Sequence, residues 1–286
     1  MDVDESKKDA EKSQVDKTKD GDSIDSGKTK GDEKVDSDKS ADDEKEYSPD
    51  SIYYLCLGIQ QYLYESGRVD NIFSDFYYEK FAECLSEVLS NHQPKLNAAG
   101  QMLCRIEEEH LWEAKQLGAH SPYVLLNTLI YFHTKYFMMK TPQEHMNMSF
   151  TQILKHWRKG GPGKPTTANT AGRSVTLRYY CMGPGGATGK PKSKEGIPVY
   201  ETSENLENPL RCPVKLYEFY LSKCPESIKN VNDMFYLVPE RSCVPDSPVW
   251  YSTQSLALEL MTKMLNRILL VREIQEAHLH AQPIYV

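Results

Sequence analysis

The chemistry open to this sequence is bounded by its glycines, histidines, cysteines and cations. The stretch "GPGGATGKPK" (183–192) invites a nucleotide-loop reading. Such a loop needs glycine five places before its Gly-Lys pair and Ser or Thr after it. Here Pro184 and Pro191 stand at those places, so the stretch reads as an exposed hairpin loop. No H-E-x-x-H occurs, and the nearest cysteines, Cys212 and Cys224, are twelve residues apart. His278 and His280 alternate in a polar C-terminal tail, a pattern chance explains. No metal and no cofactor is expected, and no nucleophile elbow marks a Ser/His/Asp or Cys/His site. What remains is cationic. Lys155, Arg158, Lys159 and Lys164 gather around one Gly- and Pro-rich connector, with Arg173, Arg178, Lys190, Lys192 and Lys194 nearby. Basic glycine-rich hairpins can lie along phosphates, and lysines equally keep exposed loops soluble. A further cation, Lys140, stands in "MMKTPQEHMNMSF" (138–150), just before Thr141-Pro142-Gln143-Glu144. That tetrad is a capping box with proline at the first helical position. Taken locally, Lys140 neutralises the carbonyl end of the preceding helix.

The elements that must position these residues are mostly helical. Ile52, Leu55, Cys56, Ile59 and Leu63 recur at helical spacing before Gly67, and Tyr77, Phe81, Cys84, Leu85, Val88 and Leu89 mark a second helix. "RIEEEHLWEAKQLG" (105–118) predicts a helix with Leu111, Trp112 and Leu117 inward, stopped by Gly118. Ser121 and Pro122 then open a helix so apolar that it should be central, with His133 expected to be an ordinary core or rim histidine. "MSFTQILKHW", "RSVTLRYYCM", "IPVYET" and "MFYLV" read as strands, Val214 to Cys224 as a helix, and "SPVWYSTQSLALELMTKMLNRILLVREIQEAHL" (247–279) as one long helix fraying after Glu276. The fold class is α+β, mainly helical, with a small antiparallel sheet.

Composition sets the limits. Residues 1–50 hold eighteen acidic and ten basic side chains with almost nothing apolar, so they are expected to be a disordered charged tail. The other 236 residues carry 24 basic and 23 acidic groups, so any DNA-binding surface must be a local patch. No apolar run approaches the roughly 18 residues of a membrane span, and the charged N-terminus argues against a secretory signal. Seven scattered cysteines without C-x-x-C suit a reduced, intracellular compartment.

Four long strings carry a resemblance: "SGRVDNIFSDFYYEKFAECLSEVL", "EEHLWEAKQLGAHSPYVLLNTLIYFHTKYF", "ENPLRCPVKLYEFYLSKCP" and "SPVWYSTQ". In order, from about Ser51 to Glu276, the chain resembles the C-terminal domain of the zinc finger MYM-type proteins, which looks like a domesticated tyrosine recombinase from Crypton-type transposons. The resemblance implies a helical module at 51–95 like a recombinase core-binding domain, a degenerate, truncated catalytic domain at 96–280, and a disordered end at 281–286. It also implies that Lys140 stands where an active recombinase grips the scissile phosphate with arginine, with Glu144 at the following carboxylate. Lys190, Lys192 and Lys194 fall in the hairpin that normally carries a catalytic lysine.

Active recombinases further need His-x-x-Arg and a downstream tyrosine nucleophile. The residues three places after the eight histidines are Lys95, Glu113, Tyr123, Tyr136, Met148, Lys159, Ala281 and Pro283, and none is arginine. Tyr285, in the polar end, is rejected as a nucleophile. Lysine at 140 keeps attraction for phosphate but loses the planar fork. The expectation is a catalytically inactive domain that works in the nucleus as an interaction module for corepressor and chromatin proteins. The alternative is sequence-nonspecific DNA binding without cleavage. The family's tandem zinc fingers are absent from this sequence, which leaves open whether the chain is a fragment or a short form.

Overall fold

Helix α1 (Pro49–Glu65) begins at a proline, the residue whose missing N–H does least harm at a helix start. In this computed structural model the described residues are 47–90, 92, 95–98, 102–159, 173–181, 197–229, 234–240, 244–280 and 284–285. Glu46–Val286 gathers into one compact unit. The inward face of α1 differs from the expected one. Tyr53, Cys56, Leu57 and Gln60 are buried, whereas Leu55 and Ile59 are each 54% exposed. Residues 51–64 contain no charged side chain, so apolar spacing alone does not select a face. Gln60 selects it: its amide donates to the Asp70 carbonyl at 2.8 Å and accepts from the Ile72 N–H at 2.7 Å.

A 3-10 turn (Phe76–Tyr78) leads into α2 (Glu79–Leu89), which buries Leu85 and Leu89 but leaves Tyr77, Phe81, Cys84 and Val88 exposed, again narrower than the apolar pattern predicts. Strands β1 (Lys95–Leu96) and β2 (Met102–Leu103) form a small antiparallel pair. Helix α3 (Glu108–Glu113) is much shorter than expected and does not reach Gly118. Lys115 turns left-handed at φ 55, and the N–H groups of Gln116 and Lys115 bond back to the carbonyls of Leu111 (2.8 Å) and Trp112 (3.1 Å). That is a Schellman ending built without glycine.

Helix α4 (Pro122–Tyr136) starts as the sequence predicts, with the Ser121 hydroxyl accepting the Val124 N–H at 3.2 Å, and it is buried from Val124 to Thr134. Beside it Glu108 collects the Trp112 indole (3.1 Å), the Tyr131 hydroxyl (2.7 Å) and the Lys135 ammonium (2.6 Å). Burial pushes this carboxyl up, and those donors together hold it below its ordinary value. Helix α5 (Pro142–Met146) follows.

After a 3-10 turn, β3 (Ile153–Lys159), β4 (Arg173–Tyr180) and β5 (Pro198–Ser203) form an antiparallel sheet. Helix α6 (Pro213–Lys223) precedes a two-stranded pair, β6 (Leu237–Pro239) with β7 (Tyr251–Ser255). The single long helix expected over 247–279 is instead β7, α7 (Leu258–Ile268) and α8 (Arg272–His280). Leu256 stays outside the helix because its N–H pairs with the Tyr236 carbonyl at 2.9 Å. The break at 269–271 lets Leu270 and Val271 point into the core, while the Arg272 N–H reaches the Ile106 carbonyl at 2.9 Å. Helix α8 continues to His280, past the expected fraying point. Residues 281–286 were expected to lack structure, yet Ile284–Tyr285 forms β8 and adds to the sheet beside β5, giving the order β3-β4-β5-β8. The fold is therefore α+β with a small antiparallel sheet. Among the described residues no helix is long and apolar enough to cross a membrane.

One hydrophobic cluster joins α1, α2, α4, α6, α7, α8 and the sheet. Within it lies a polar chain. The Tyr236 hydroxyl is 2.6 Å from His133 Nδ1 and 2.9 Å from His145 Nδ1, and His145 Nε2 is 3.2 Å from Thr134 Oγ1. Thr134 donates its hydroxyl hydrogen to the Ile130 carbonyl at 2.7 Å, so it accepts from His145 Nε2–H. His145 Nδ1 then accepts from Tyr236, and His133 Nδ1–H must donate to the Tyr236 oxygen. Both rings are neutral, each in one tautomer. His133 is thus the core histidine its position suggested.

Candidate functional site

Lys140 is placed by a sharp turn. Helix α4 ends at Tyr136, Met138 takes the left-handed backbone at φ 59, Met139 is buried, and Lys140 emerges exposed before α5. The capping box then forms as the sequence predicts: Thr141 Oγ1 accepts the Glu144 N–H at 3.2 Å, and Glu144 Oε2 accepts the N–H groups of Thr141 (2.9 Å) and Lys140 (2.6 Å). The Glu144 carboxylate is committed to backbone donors, so it serves as a cap.

The Lys140 side chain borders a cleft of about 500 Å³ whose other walls include Leu89, His92, Leu270, Ile274, Gln275 and His278. His278, read in the sequence as a tail residue, sits on α8 and donates Nε2–H to the Thr134 carbonyl at 2.8 Å. Burial lowers its pKa, with the Lys140 ammonium adding to the effect and the hydrogen bond to Thr134 opposing it. Burial likewise lowers His92. The cleft therefore offers one ammonium and neutral imidazoles over an apolar floor. It can attract an anion, but it cannot align a phosphate through a planar fork.

Of the cations suggested for phosphate contact, Lys155 and Arg178 have described side chains, and these two do not share one face. Lys155 is paired with Glu218 and lies 5.0 Å over the Trp157 ring, and Arg178 is paired with Glu201 at 3.0 Å. Register places Lys155 opposite Leu177. Because neighbouring strand residues alternate faces, Lys155 and Arg178 project from opposite sides of the sheet. Arg158, Lys159 and Arg173 occupy the paired ends of β3 and β4, with Lys159 opposite Arg173. Lys164, Lys190, Lys192 and Lys194 lie outside the described residues. Among the described residues no cluster of His, Cys, Asp and Glu could hold a metal. The sequence reading missed a second cationic group, Lys115, Arg211 and Lys215, because Lys115 stands far from the other two along the chain. The signal was present only as the arginine of "NPLRCP" (208–213).

Comparison with known proteins supplies the family. Residues 102–270 match the model described as a domain of unknown function (DUF3504), and residues 35–92 match that of the QRICH1 domain. The chain belongs to the DUF3504 family. Among curated relatives, zinc finger MYM-type protein 3 of Homo sapiens is 52% identical over 235 residues, covering 80% of this chain and 17% of that protein. Transcriptional regulator QRICH1 of Mus musculus is 49% identical over 233 residues, covering 81% of this chain and 29% of its own length. Zinc finger MYM-type protein 2 of Homo sapiens is 46% identical over 237 residues, with 80% and 17% covered. The resemblance to zinc finger MYM-type proteins is thereby shown, and this DUF3504 chain spans less than a third of the length of these relatives. No solved structure matches it.

Proposed function

We propose that this chain is a catalytically inactive, recombinase-derived interaction module acting in nuclear transcription regulation, with chromatin or corepressor proteins as partners. The observation that carries it is the geometry at Lys140 and Glu144. The carboxylate that would belong to a phosphate-gripping pair closes a helix start instead. The remaining ammonium faces neutral histidines across a largely apolar cleft. Covalent chemistry on phosphate needs several aligned donors, each supplying a few kcal/mol (about 2.7–4 for one oxyanion donor) of barrier lowering. The names of the relatives, a transcriptional regulator and zinc finger proteins, support the nuclear assignment.

DNA binding without cleavage is the less favoured reading, because Lys155 and Arg178 are already held by carboxylates. Affinity capture from nuclear extract with the full chain should yield a reproducible set of chromatin proteins. Empty capture would count against the module. Supercoiled plasmid should stay supercoiled, and a nicked product with label on a tyrosine would overturn the inactive assignment. A salt-dependent gel shift with duplex DNA at low ionic strength should show no retarded band.

A further inference from the structure

A groove of about 720 Å³ lies between the end of α3 and the start of α6, separate from the Lys140 cleft. Its lining includes Lys115, Arg211 and Lys215 and no carboxylate, and Leu117, Leu216 and Phe219 supply apolar surface. Leu210, also in the lining, is 82% exposed, a large apolar side chain left in water beside a groove.

The three cations differ in what they have left to give. Arg211 is immobilised, with its guanidinium 4.8 Å over the Trp112 ring and forked onto Glu109 at 2.5 and 2.7 Å. Its charge is neutralised there, and it acts as a wall. Lys215 is 3.6 Å from Glu218, but Glu218 is shared with Lys155, so two ammoniums divide one carboxylate. Lys115 is exposed and occupies a left-handed position where glycine would avoid a cost of roughly 1 kcal/mol. The groove thus presents surplus positive charge at Lys115 and Lys215 around an apolar floor.

We propose that this groove binds an acidic peptide segment of a partner protein. An apolar side chain of that segment rests on Leu216 and Phe219, and its carboxylates face Lys115 and Lys215. Charge complementarity selects the occupant. Duplex DNA fits less well, because its bases are stacked inside the helix and it offers no projecting apolar side chain for the floor. The proposal rests on the interaction-module reading and names the surface that reading uses.

The test uses the full chain and a fluorescein-labelled nine-residue peptide, a central Leu-Phe pair flanked by aspartates and glutamates. Fluorescence polarisation should show saturable binding. A Lys115→Asn, Lys215→Gln double variant should weaken it at least tenfold, since asparagine tolerates the left-handed backbone and both sites are at the surface. Lys263→Gln on α7 should leave it unchanged, and a peptide with lysines replacing the acids should not bind. A thermal unfolding curve matching that of the unsubstituted chain confirms that the double variant is folded. Absence of saturable binding, equal binding by the double variant, or duplex DNA displacing the peptide through the same two lysines overturns the proposal. If the peptide fails while the chain still captures its nuclear proteins, the groove is wrong and the module stands. If the peptide binds but capture is empty, the groove stands and the module falls.

Discussion

Glu144 meets Lys140 through the backbone: its carboxylate receives the Lys140 N–H at 2.6 Å, closing the start of α5. Two residues that could have formed a charged pair on a phosphate are joined as a helix cap. The consequences for stability are separable from any role of the lysine side chain.

Thr141→Ala should remove the reciprocal half of this cap and destabilise the fold by about 1 kcal/mol. Lys140→Ala, at an exposed position whose backbone bond survives, should change stability by no more than about 0.5 kcal/mol. Urea titrations of the two variants check the contrast. A Lys140 loss as large as that of Thr141 would place the ammonium in the structural framework.

The buried histidines should make the protein acid-sensitive. Burial holds His133 well below its ordinary value, with His145 adding to it, and burial pushes His145 down to about 3, with His278 adding. Both folded-state values lie below the unfolded one. The unfolded chain therefore binds protons that the folded chain refuses as pH falls from the ordinary histidine range towards about 3. Stability is full above that range and falls below it, by up to about 1.4 kcal/mol per pH unit for each histidine. Chemical denaturation at pH 7.5, 6.5 and 5.5 measures it. His145→Gln should flatten the slope by about one proton.

Tyr236 links the two rings, so Tyr236→Phe leaves His133 Nδ1–H without its acceptor and His145 Nδ1 without its donor. Leaving buried polar atoms unpaired costs about 1–3 kcal/mol each. The expected loss exceeds that of an ordinary surface substitution. A Tyr236→Phe variant as stable as the parent would refute the contribution of this hydrogen-bonded chain to stability.

Gly118 lies at φ +142, and a Cβ there would sit 3.1 Å from the His120 ring. Gly118→Ala should destabilise by roughly 1–3 kcal/mol through backbone strain. Gly58, on the exposed face of α1, has open space around a Cβ, and Gly58→Ala should stabilise by about 0.5–1 kcal/mol. Opposite signs in thermal unfolding distinguish the two.

The caps and turns of this chain were written locally. Ser121-Pro122 and Thr141-Pro142-Gln143-Glu144 start helices where their residue types predict, because an N-cap is satisfied by atoms three residues away. The three sheet strands were legible from their β-branched and aromatic runs. Helix faces were less so. Leu55 and Ile59 matched a helical stripe but face solvent, since Gln60 fixes α1 through bonds to a loop ten and twelve residues away.

By itself the sequence determined the α+β content, the contrast in composition between the charged first fifty residues and the rest, the family resemblance, and that no His-x-x-Arg occurs within these 286 residues. Only the tertiary structure decided which carboxylates neutralise Lys155 and Arg178, that His133, Tyr236 and His145 share one proton-ordered chain, and that Lys115 and Lys215 face a common groove. The division has a physical reason. Capping and propensity act within a few residues, while charge neutralisation and burial depend on atoms that only the folded chain brings within a few ångströms of one another.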